Sequence, residues 1–66
     1  MSSTSSITNI KHLQSIVKHA QRRTDRYFRL YQGASDDTIK AQWFNLAVEH
    51  DHIAADTAKK LLAAAA

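Results

Sequence analysis

A single glycine, Gly33, stands at the midpoint of a 66-residue chain that has no proline, and on both sides of it apolar residues recur at helical spacing. Proline and interior glycine are the residues that break helices, so each half is free to run as one uninterrupted helix. Glycine is also the residue best able to take the left-handed conformation that ends a helix. Ser35, Asp36 and Asp37 follow it at once with side chains that start another. The pattern predicts an all-α protein: an antiparallel helical hairpin folded at Gly33.

In the first half Ile10, Leu13, Val17, Ala20, Thr24, Tyr27 and Tyr31 alternate at spacings of three and four, a heptad seam with one polar interruption at Thr24. A hydroxyl cap near Ser5 or Ser6 and a stop at Gly33 predict a first helix over about residues 6–32, preceded by a disordered Ser/Thr-rich tail over 1–5. In the second half the matching seam reads Ile39, Trp43, Leu46, His50, Ile53, Thr57 and Leu61. Ser35 is the expected N-cap. Asp36 and Asp37 then fall where negative charge favours the helix dipole, and Lys59 and Lys60 lie near the opposite end, giving a second helix over about 36–63. Residues 6–66 form one domain. The fold point brings Tyr27 level with Trp43, Tyr31 with Ile39, Ala20 with His50, and Val17 with Ile53.

A chain this short struggles to bury enough apolar surface to offset its conformational entropy. Cysteine is absent, so neither disulfides nor thiolate metal sites can help. The apolar arc is also too wide for one partner helix. Beside its seam the second helix carries Phe44, Val48 and Leu62, and the first carries Ile16, Phe28 and Leu30. With Trp43, these residues are the expected interface of a homodimer of hairpins, a four-helix bundle. The alternative is an adaptor that docks the same surplus on a different protein.

The net charge of +3 is unevenly spread. Asp25 is the one acidic residue before Gly33, whereas Lys11, Lys18, Arg22 and Arg29 share a narrow arc opposite the apolar seam, with Arg26 beside them. Such a stripe suits sequence-independent binding of nucleic acid or another polyanion. A solvated helix face must also be polar, and part of the charge can be answered by Glu49, Asp51 and Asp56. Tyr27, Tyr31 and Trp43 are claimed by the core, which leaves no exposed aromatic platforms for reading single strands.

Glu49-His50-Asp51-His52 contains the Glu-x-x-His spacing of carboxylate-bridged di-metal bundles, and His19 lies in the same layer. His19, Glu49 and His52 are weak candidate ligands, because Glu49 and His52 fall outside the apolar arc and the first helix offers no glutamate. No cofactor is expected. His50 faces inward and is a candidate pH-sensitive core residue, imidazole being the side chain whose charge changes between pH 5 and 8. Ser15 and His19 are one turn apart, but no acidic third member accompanies them, so the protein is not expected to be an enzyme.

The longest apolar run, 61–66, is too short to span a bilayer, and the polar N-terminus has no signal-peptide core. Residues 1–24 have the basic, hydroxyl-rich, acid-free composition of an organellar presequence. The same segment supplies half of the apolar seam, so the expectation is a cytoplasmic protein without membrane attachment. In length and layout the chain resembles the plasmid-encoded repressor-of-primer hairpins, which dimerise into four-helix bundles and bind paired RNA loops along one helix face. No residue motif is shared with them, so no functional residue carries over. The composite expectation is a small non-enzymatic regulatory or accessory protein.

Overall fold

The structure, a computed structural model, describes the backbone of residues 3–65 and the side chains of residues 9–65. It is an all-α antiparallel hairpin of two helices, α1 over Ser3–Gly33 and α2 over Asp37–Ala65. The molecule is a rod of 53 × 13 × 12 Å, as two side-by-side helices rising about 1.5 Å per residue require. Helix α1 begins at Ser3, so the expected tail falls partly on its first turn and partly on Met1 and Ser2, which lie outside the described residues.

The turn differs from the sequence expectation in two ways. Gly33 is the last residue of α1, and no described residue, glycine included, has a positive φ. The helix ends instead by tightening: the Ala34 amide donates to the Tyr31 carbonyl at 3.4 Å, a three-residue step. The N-cap of α2 is Asp36 rather than Ser35. The Ile39 amide donates to the Asp36 carboxylate at 3.0 Å, and the Lys40 amide donates to the Asp36 carbonyl at 2.8 Å. A carboxylate at this place both accepts an orphan amide and favours the positive end of the helix dipole.

The α1 seam is placed as its spacing predicts. Ala20 and Thr24 are buried, while Ile10, Leu13, Val17, Tyr27 and Tyr31 are half-buried. The buried Thr24 hydroxyl donates to the Ala20 carbonyl at 2.9 Å, so this polar position in the seam is satisfied within its own helix.

The α2 seam is turned by one residue in one of its two rows. Trp43, His50, Thr57 and Leu61 face α1 as expected and Leu46 is half-buried, but Lys40, Ala47 and Ala54 fill the companion row in place of Ile39 and Ile53, which are exposed. Ala47 has no exposed surface, whereas Ile39 and Ile53 are 46% and 40% exposed. The buried positions of the hairpin are thus Ala20, Ala47, Ala54, Thr24 and Thr57, all small. Small side chains at a crossing let helices approach closely, and the bulky residues are pushed to the flanks.

Aromatic rings brace this contact. Tyr27 stacks on Trp43, with centroids 5.7 Å apart, and on His50 at 5.3 Å. Since Trp43 and His50 are one heptad apart, Tyr27 sits at the level between them, near Ala47. Tyr31 meets Phe44 at 5.6 Å and carries the Lys40 ammonium 5.3 Å from its ring centre, in place of the expected layer with Ile39.

Candidate functional site

Residues advance about 100° around a helix, so positions seven apart share an edge. On this count the two-helix layer has two apolar faces, one on each side of its small-residue seam. Ile16 and Leu30 of α1 and Ile39, Leu46 and Ile53 of α2 flank one side. Ile10, Val17 and Phe28 of α1 and Phe44, Val48 and Leu62 of α2 flank the other. The interface residues expected from sequence are therefore divided: Ile16 and Leu30 lie on the first face, Phe28, Phe44, Val48 and Leu62 on the second, and Trp43 borders the seam.

The second face carries the exposed aromatic rings. Phe28 and Phe44 pack edge to face at 6.3 Å, yet both keep exposed surface, Phe44 44% of it, and Leu62 is 73% exposed. The heptad rows building this face contain no basic residue; their exposed polar members are Gln14, Gln21, Asp37 and Asp51.

The first face is cationic. Its rows hold Arg23, Arg26 and Lys60 together with His12 and His19, and the row of Glu49 and Asp56 borders it on α2. Two clefts open on it. One, of about 420 Å³, lies at the turn between Arg29, Leu30, Ile39 and Trp43. The other, of about 400 Å³, lies halfway along the rod and has a polar rim of His12, Ser15, His19, Arg23 and His50. Ala20, Ile16 and Ile53 complete its lining.

The five residues of the proposed basic stripe, Lys11, Lys18, Arg22, Arg26 and Arg29, are all exposed on α1. Lys11, Lys18, Arg22 and Arg29 lie on the back of that helix, away from α2, and Arg26 leads from them toward the cationic face. Glu49, Asp51 and Asp56, candidate partners for that charge, are exposed on α2.

The candidate metal ligands are not assembled. Among the described residues no three His, Asp or Glu side chains lie close enough to hold one ion. His19 lines the central cleft, while Glu49 and His52 are exposed on other sides of α2. His50 is half-buried against Tyr27, and its Nδ1 is buried without a hydrogen-bond partner. The Thr24 hydroxyl, in the same seam, gives its proton to the Ala20 carbonyl.

No described helix is long and apolar enough to cross a membrane. No protein family, curated protein or solved structure matches the chain.

Proposed function

We propose that the chain is a small non-enzymatic accessory or regulatory protein that acts as a homodimeric four-helix bundle and presents the basic back of α1 to nucleic acid. The observation that carries this reading is the inversion of size between core and surface. The buried positions of the hairpin are Ala and Thr, while Phe28, Leu30, Ile39, Phe44, Ile53 and Leu62 remain exposed. Each large apolar side chain contributes about 1.5–3 kcal/mol when fully buried, so a second layer of helices over one face recovers part of what the isolated hairpin leaves in water.

The face of Phe28, Phe44, Val48 and Leu62 is the one assigned to the second copy. Closing the opposite face on itself would bring Arg23 and two histidines against their own duplicates, which is the costlier choice. Pairing through the aromatic face leaves the stripe of Lys11, Lys18, Arg22, Arg26 and Arg29 outside on both copies. Two such stripes on one rod suit the regular charge of a phosphate backbone. The non-enzymatic reading rests on the central cleft, where Ser15 and His19 meet no acidic residue that would orient the imidazole.

Titration with duplex DNA and with structured RNA at two salt concentrations tests the stripe. The expected result is binding at low salt that weakens steeply as salt rises, and that weakens further, with a shallower salt dependence, in the Arg22→Ala, Arg29→Ala double variant. Binding absent at low salt, or indifferent to the double variant, rejects the nucleic-acid role. A monomer at all concentrations would instead assign the aromatic face to a different protein.

A further inference from the structure

The central cleft shares no residue with the basic stripe. Ser15, His19 and Arg23 follow one another at i, i+4 and i+8 on α1, so neighbouring Cβ atoms in this row are about 5–6 Å apart. All three line the cleft, and His50 closes it from α2. The row offers a hydroxyl, an imidazole N–H and the forked guanidinium of Arg23, which are donors suited to the three terminal oxygens of one tetrahedral anion. No acidic residue lines the cleft; the nearest acids in sequence, Glu49 and Asp56, flank Ile53 by one turn on α2 and are exposed.

The cleft is larger than an inorganic anion needs. At about 400 Å³ it falls in the range of small-molecule sites, and beyond the donor row Ile16 and Ile53 give it an apolar floor running toward His12. We infer that this cleft binds a phosphate monoester, its phosphate held by Ser15, His19 and Arg23 with His50 opposite, and its organic group laid over Ile16 and Ile53. A monoester suits the row better than a diester, because it presents one more terminal oxygen and one more negative charge. The inference does not depend on nucleic-acid binding by the stripe.

The chain supplies its own control for a test. His12, His19 and His50 line the cleft, whereas His52 is exposed elsewhere on α2. The imidazole proton resonances of all four histidines are followed by NMR during titration with phenyl phosphate, inorganic phosphate and dimethyl phosphate at constant ionic strength and pH. Phenyl phosphate is expected to shift His19 and His50 most, His12 less and His52 not at all, with saturation. Its affinity should exceed that of inorganic phosphate about tenfold through burial of the ring. Arg23→Gln, a change at an exposed helix position, should weaken phenyl phosphate at least about tenfold while leaving the helical circular dichroism unchanged. Arg29→Ala, nearly two turns beyond Arg23, should bind it as the wild type does while weakening nucleic-acid binding, so failure of the stripe and failure of the cleft are told apart. Equal, unsaturating shifts of all four histidines, undiminished affinity in folded Arg23→Gln, or dimethyl phosphate binding as tightly as phenyl phosphate would overturn the assignment.

Discussion

Gly33 ends α1 without using the conformational freedom that only glycine has. Its φ is not positive, and a Cβ placed on it meets nothing within 4 Å. What glycine contributes at such a position is a larger entropy loss on folding, with no compensating relief of strain. Gly33→Ala should therefore stabilise the hairpin by about 0.4–1 kcal/mol, seen as a higher midpoint in thermal or urea unfolding. A clear loss of stability would mean that the turn needs a left-handed residue after all. The start of α2 depends more on chemistry than on flexibility. Asp36 accepts from the Ile39 amide with its carboxylate and from the Lys40 amide with its carbonyl, and Ser35 is left exposed in the connection. Three successive residues able to cap made the region readable as a helix start, but which one caps follows from the path of the turn, which no local propensity encodes.

At the scale of the element, α1 and α2 were unequally legible. In α1 the residues that pack are also the apolar ones at heptad spacing, so pattern and packing agree from Ile10 to Tyr31. In α2 they diverge. Ile39, Leu46 and Ile53 form a regular apolar row, and hydrophobicity alone favours it over the adjacent row of Lys40, Ala47 and Ala54. The deciding term is steric: Ala20 and Thr24 of α1 and Ala47 and Ala54 of α2 fill the buried seam with small side chains, and the rings of Tyr27, Trp43 and His50 stack across it. Alanine in a helix reads as propensity rather than as contact, so the signal was present at Ala47 and Ala54 but carried no weight. Ala47→Leu should consequently destabilise the protein by about 1–3 kcal/mol, as overpacking of a filled seam does. A neutral or stabilising effect in chemical denaturation would show that Ala47 does not set the helix separation. The central cleft was less legible still. Ser15, His19 and Arg23 follow one another by one turn in the sequence, but His50 joins them only once the hairpin closes with this rotation of α2.

For the whole molecule, the two faces have opposite characters. One is aromatic, with Phe28, Phe44 and Leu62 exposed and no basic residue in its rows; the other is cationic, with Arg23, Arg26 and the histidines beside the cleft. A single layer of two helices, 12 Å thick at its narrowest, has no interior that could hide either face. The proposed dimer through the aromatic side would complete a bundle core while leaving cleft and stripe in solvent. The solution mass, measured by light scattering across a concentration range for the wild type and for Phe44→Asp, tests that arrangement. The wild type should show twice the chain mass of 7.4 kDa, and Phe44→Asp, which places a charge at the centre of the aromatic face, should shift the mass toward that of one chain. A wild type that stays at the mass of one chain at every concentration, or a Phe44→Asp variant that dimerises as tightly as the wild type, would contradict it.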